Sequence, residues 1–259
     1  MIDTIKELYQ YREMISSMVK RDLRGRYKGS MLGFLWTFIN PLLQLLIYTV
    51  VFSSIMRMGI EHYEVFLFVT LIPWIFFANS LLGAIGSIVY NQNLVTKIYF
   101  PREVLPLSVV TSHFINMLYC FVIVLAVVVF YNYNLNLIAW LTLPVVAIME
   151  YILALGFAFI ISAVTVYIRD MEHILSIIVF GWQFLTPVMY PESLIPEKYS
   201  FLFSLNPMAP IIISYRDILY YGRLPDMMLL AHSLVFCIII FCIGVYTFTK
   251  LKRNFAEEL

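Results

Sequence analysis

Charge is what this chain has least of: Asp, Glu, Lys and Arg make up 13% of its 259 residues, whereas 62% are hydrophobic. Soluble domains carry about 25% charged residues, and a water-facing surface cannot be assembled from so few. A freely soluble fold is excluded. The formal net charge of +1 gives no reason to expect a nucleic-acid partner. Cysteine is scarce as well. Cys120, Cys237 and Cys242 are odd in number, lack C-x-x-C spacing and lie inside apolar runs, which excludes a disulfide framework or a thiolate metal site. Before Ser30, single hydrophobic residues are separated by charges and no apolar core forms. No cleavable leader is expected, and the N-terminus should stay on the side where it is made.

Catalytic signatures are missing too. The sequence has no G-x-x-x-x-G-K-[ST] phosphate loop, no H-E-x-x-H, no G-x-S-x-G and no G-x-G-x-x-G after a strand. The chain is therefore expected to hold no catalytic residues, metal or cofactor of its own. A membrane-embedded enzyme acting on lipid-linked sugars would gather acids, or acids and His, around a metal and a diphosphate. Asp170, Glu172 and His173 come nearest and are too sparse. An ion-coupled secondary transporter would show more buried charges and an internal repeat, and neither is visible.

What the chain does have is apolar length. A spanning helix needs about 20 apolar residues, and the sequence supplies six such stretches, at about 31–55, 65–90, 104–131, 137–168, 174–190 and 227–249. The fourth would be about 48 Å long, so it must tilt, kink or project beyond a hydrocarbon core of about 30 Å. The fifth is short and runs into Pro187, Pro191, Pro196, Pro207 and Pro210, which fall within 24 residues. No straight helix passes so many prolines, yet the residues between them stay apolar. Residues 191–226 are thus expected to form re-entrant or interfacial gate helices at one mouth of a pathway. The main piece should be 211–221, ended by Gly222 and Pro225. Six spans put thirteen Lys and Arg on the side of the termini and four on the other, which places both termini in the cytoplasm. Five or seven spans would lose that bias. The expected layout is a cytoplasmic interface helix at 1–30, a membrane domain at 31–250 and a cytoplasmic tail at 251–259.

Three segments could carry function. In residues 5–28, Ile5, Leu8, Tyr9, Arg12, Ile15 and Val19 recur at helical spacing with charges opposite, the pattern of a helix lying in a membrane surface. It reads as an anchor on anionic lipid, or as an anchor that also docks a cytosolic partner. The loop NQNLVTKIYFPRE at 91–103 is unusually apolar for a water-facing connection, with Leu94, Ile98, Tyr99 and Phe100 rimmed by Lys97, Arg102 and Glu103. An interfacial turn with Pro101 opening the next helix is one explanation. A rim carrying both charge signs favours a protein partner over lipid. Glu150 stands alone inside its apolar run and must face protein or water. With His113 as the only other candidate at similar depth, structural hydrogen bonding explains both better than a proton relay. Aromatic residues are 17% of the chain, and Phe34 with Phe38, Tyr48 with Phe52, and Trp74 with Phe77 recur at helical spacing. Membrane-interface belts are the ordinary reason, though a passage lined with flat apolar rings would also suit sugars. Gly83 and Ser87 allow close helix packing.

Read as strings, LYQYREMISSMVKRDLRGRYKGSMLGFLWTFINPLLQLLIYTVVFS at 8–53, LVTKIYFPREVLPL at 94–107, YIRDMEHIL at 167–175, LTPVMYP at 185–191, NPMAP at 206–210 and the ending KLKRNFAEEL carry a family signature. In this order, and over nearly the whole chain, they resemble ABC-2 type permeases that export O-antigen, teichoic acid or capsular polysaccharide. The resemblance implies an all-α, multi-pass protein of the bacterial cytoplasmic membrane. It implies a second copy of the chain and two ATPase subunits that bind ATP and Mg. The cargo would be a polysaccharide on an undecaprenyl-type lipid. Lys97, Tyr99, Phe100, Pro101, Arg102 and Glu103 would form the coupling helix, with Arg169 and Asp170 as a further ATPase contact. Arg21, Arg24, Arg26 and Lys28 would attract the head-group diphosphate. Residues 187–222 would gate the exit, and Phe34, Trp36, Phe38, Trp74, Phe77 and Trp182 would line the channel.

Overall fold

The computed structural model describes residues 2–25, 29–131 and 136–259, and among them every regular element is helical. The N-terminal segment is two helices, α1 (Ile2–Gln10) and α2 (Arg12–Gly25), broken at Tyr11. Its inward face runs through Leu8, Tyr11, Met14, Ile15, Met18 and Val19, whereas Tyr9 and Arg12 are exposed. The expected face is therefore corrected by about one position per turn. Its docking explains the change: α2 lies against α6 (Val104–Phe130), where Ser112 donates to Asp22, so a helix wall and not a flat interface selects the face.

The first apolar helix, α3 (Trp36–Thr49), is preceded by a 3₁₀ turn and continued by a π-helical turn at Val50–Ile55. Left-handed backbone at Arg57, Gly59 and His62 reverses the chain into α4 (Tyr63–Val89). The short α5 (Gln92–Lys97) leads into α6, and α7 (Leu137–Tyr167) returns as one unbroken helix despite Pro144. Next come α8 (Met171–Leu185), α9 (Ser200–Ser204) and α10 (Met208–Leu219). The chain ends with α11 (Met227–Leu251) and α12 (Phe255–Glu258). Outside a few polar positions, apolar residues occupy all sides of α4, α6, α7 and α11, as expected of helices in an apolar setting.

Among the described residues, five helices are long and apolar enough to cross a membrane: Gly33–Ile55, Tyr63–Val89, Val104–Phe130, Leu137–Tyr167 and Met227–Asn254. The remaining expected span is shorter than its apolar run. At 15 residues α8 covers about 22 Å of a core of about 30 Å. Pro187 cannot extend it, so residues 186–190 continue in irregular backbone inside the bundle. Their carbonyls need partners at that depth. Tyr63 donates to Met189 O at 2.8 Å, Thr70 to Val188 O at 2.9 Å, and Arg216 to the carbonyls of Pro187, Val188 and Tyr190. Arg216 is 2% exposed, and its guanidinium lies 4.0 Å from the centre of the Phe66 ring.

Residues 191–226 dip back into the bundle. The chain turns at Glu192–Leu194 and Glu197–Tyr199 and descends through α9 to Asn206. Asn206 accepts from the Trp182 indole at 2.9 Å and donates to Leu185 O at 3.0 Å. From there α10 climbs back between α4, α7 and α11 until Tyr220 donates to Glu61 O, just before α4 begins. The main helix of this hairpin starts three residues before the expected 211.

Central packing is tightest between α7 and α11. A Cβ on Gly244 would sit 2.3 Å from the Gly156 carbonyl oxygen, and one on Gly156 would sit 2.8 Å from the Phe241 backbone. The two backbones therefore touch, which only glycine allows. Gly83 on α4 faces side chains instead, an added Cβ meeting those of Val109 and His113 of α6. Glu150 points inward and is fully buried, accepting from the Tyr215 hydroxyl at 2.8 Å.

Candidate functional site

Contacts gather four chain segments at one end of the bundle. Arg21 of α2 donates to the Asn91 side chain at 3.2 Å, tying the N-terminal helices to the α4–α5 corner. The Tyr167 hydroxyl, at the end of α7, donates to Leu251 O at 2.9 Å, and its ring centre is 6.4 Å from that of Phe255. Arg102 donates to Lys252 O and places its guanidinium 5.8 Å from the Phe255 ring centre. Lys252 forms an ion pair with Glu103. The 97–103 loop, the 168–170 connection and the N- and C-terminal segments thus share one end, and the proline-rich hairpin occupies the other.

At the shared end the 97–103 loop is divided in its loyalties. Ile98 and Tyr99 are 54% and 86% exposed, and Lys97 is exposed beside them on α5. Phe100 and Glu103 are 6% and 5% exposed, Pro101 is buried, and Arg102 is half-buried. The apolar patch with a two-signed rim is therefore reduced to Lys97, Ile98 and Tyr99, because Arg102 and Glu103 are turned inward onto the C-terminal segment. Arg169 and Asp170 are exposed at the α7–α8 turn.

A cleft of 790 Å³ opens next to this end, between α2, α3, α4 and α6. Its wall is mixed: Asn40 and Gln44 from α3, Asn79 and Ser87 from α4, and Ser108, His113 and Asn116 from α6 stand among apolar side chains such as Leu43, Ile75 and Val109, with Arg21 and Asp22 on α2. Each helix contributes at helical spacing, so the three polar stripes face one another. Asn116 lies 12 residues into α6, about 18 Å from its start, so the cleft reaches to mid-depth. The Asn116 carbonyl oxygen is buried there with no hydrogen-bond partner among the described residues. A polar guest, water or a hydroxylated chain, is what such a wall accommodates, since unpaired amides in hydrocarbon cost about 2 kcal/mol or more each.

Of the four cations expected to attract the head group, Arg21 lines the cleft and Arg24 is exposed three positions further on, while Arg26 and Lys28 lie outside the described residues. The six aromatics separate. Trp36 lines the cleft and its indole donates to Ser30 at 2.9 Å. Phe34, in the turn before α3, packs edge-on to Phe38 and to Tyr119 of α6, both at 5.4 Å. Trp74 and Phe77 are 2% and 0% exposed, and Phe77, Trp182 and Phe157 meet at ring distances of 5.2 to 6.0 Å. These last rings form a core beneath the hairpin and do not line an open passage in this conformation. Packing wins because Trp182 is held in place by Asn206. The amide residues Asn40, Gln44, Asn79 and Asn116 were not among the expected site residues. Their signal was available as uncharged polar side chains at spacings of four and eight residues inside apolar runs.

No group of three His, Cys, Asp or Glu side chains converges on a possible metal site among the described residues. The ABC-2 type transporter family matches this sequence over residues 13–220. The O-antigen export system permease protein RfbA of Myxococcus xanthus is 37% identical over the full length of both chains. The protein of the same name from Klebsiella pneumoniae is 35% identical over 95% of each chain. The polysialic acid transport protein KpsM of Escherichia coli is 24% identical over 89% of this chain and 90% of its own.

Proposed function

This chain belongs to the ABC-2 type transporter family, and on that premise we propose that it is the permease of an ATP-driven exporter of lipid-linked polysaccharide. Full-length identity with O-antigen export permeases is the observation that carries the reading. In it, two copies of the chain pair in the cytoplasmic membrane, termini inside, and two separate ATPase subunits dock beneath them.

The chain's own residues then have three tasks. Lys97, Ile98 and Tyr99 meet the ATPase, with Arg169 and Asp170 as a further contact, since these groups are exposed at the end where the basic residues gather. Arg21 and Arg24 attract the diphosphate of the carrier head group at the cleft rim, by charge-assisted hydrogen bonds. The amide-lined cleft offers donors and acceptors to the first sugars as they leave water, and the re-entrant hairpin, latched by Arg216, closes the opposite end. ATP binding on the partner shifts the population towards an open pair of permeases.

The test is reconstitution of the permease with the ATPase encoded beside it. Polymer should cross proteoliposomes only with ATP and Mg. Transport by the permease alone, or topology mapping that places residues 94–103 outside the cell, would overturn the reading.

A further inference from the structure

We propose that residues 252–259 are a clamp that fastens the 98–103 loop to α7 and α11, so that movement of the loop is delivered to that helix pair. The inference rests on the exporter reading above and assigns a positioning role to Glu103, Lys252 and Phe255.

Phe255 is fully buried between Phe248 of α11, at a ring distance of 5.6 Å, and Tyr167 of α7. Its remaining side faces the Arg102 guanidinium, which also donates to the carbonyl of Lys252. Lys252 returns the contact through its ion pair with Glu103, whose side chain is 6% exposed. A loop that only presented Ile98 and Tyr99 to a partner would not require a buried acid neutralised from a segment 149 positions away. Removing one member of such a pair leaves a desolvated charge, which holds the two segments together more firmly than their attraction alone suggests. The far side of the clamp is equally firm, because α7 and α11 touch backbone to backbone at Gly156 and Gly244 and must move as one body. The α5–α6 corner thus reaches α11 and α7 through side chains that are not themselves part of the exposed patch.

The experiment uses the full permease with its ATPase in proteoliposomes, measuring ATP turnover and polymer export together. Variants Glu103→Lys and Lys252→Glu should still assemble and hydrolyse ATP, but export per ATP should fall about tenfold, a typical coupling factor. The exchange carrying both substitutions should recover most of the loss. Single variants with the wild-type ratio of export to ATP, or an exchange no better than either single, would overturn the clamp. A parallel fall in assembly, ATP turnover and export would reduce it to ordinary packing and overturn it too. Should neither single variant assemble, hydrogen exchange on Lys252→Ala decides. Faster exchange at residues 98–103 with α4 unchanged supports the clamp, and unchanged exchange refutes it. If the wild-type complex shows no ATP-dependent export, the exporter reading fails; if it exports and the variants match it, only the clamp fails.

Discussion

Replacing Arg216 by Met tests whether one buried side chain holds the irregular backbone that follows α8. Met keeps apolar bulk and removes every donor, so the carbonyls of Pro187 and Tyr190 lose their partner, while that of Val188 keeps Thr70. Each orphaned carbonyl costs about 1–3 kcal/mol, and the contact with the Phe66 ring adds about 2 kcal/mol when desolvated. Opposing this, Met avoids the several kcal/mol needed to desolvate a cation. A net local loss of about 2 kcal/mol follows, enough to raise opening of residues 186–190 about thirtyfold. Met189 is 2% exposed, so a Met189→Cys reporter reads that opening through its rate of labelling by a water-soluble maleimide. Labelling should rise by that factor with Arg216→Met. It should rise less with Arg216→Lys, which keeps the charge but not the planar fork. Labelling of Arg216→Met at the parent rate, with an unchanged melting temperature, would refute the latch.

Gly244→Ala should lower the melting temperature in detergent through a clash worth about 1–3 kcal/mol or more, whereas Gly181→Ala, with nothing within 4 Å of its added carbon, should not. Equal stability of the two would contradict the backbone contact. Tyr99→Ala should leave the melting temperature alone and weaken ATPase binding about thirtyfold, the loss of a 2 kcal/mol anchor. Phe100→Ala should instead destabilise the permease by about 3–5 kcal/mol, and the reverse pattern in a melting and pull-down comparison would displace the exposed patch. Glu150→Gln keeps an acceptor for Tyr215 and should export at the parent rate between pH 6 and 8, roughly the window a relay carboxyl would have to serve. A collapse of export there would argue for proton transfer.

How much of this was legible in the sequence depends on how local each signal is. Apolar length is local, so helix positions agree within a few residues, and α8 alone was overestimated because Pro187 ends it before the apolar run does. Clustered prolines are local too, and they announced the re-entrant hairpin. Pairings across long separations left no trace in a linear reading. Glu103 with Lys252, Arg102 with Phe255, and the amide stripes of α3, α4 and α6 looked like a charged rim and scattered polar residues. The face of α2 was misplaced for the same reason, since it is chosen by α6 and not by a membrane plane. Arg216 shows how a distant partner changes even a count. It was placed among loop charges on the side away from the termini, yet it is buried and serves the carbonyls of residues 187–190. Removing it leaves thirteen Lys and Arg against Arg57, Lys198 and Arg223. The uneven count behind the expected cytoplasmic termini therefore does not depend on Arg216.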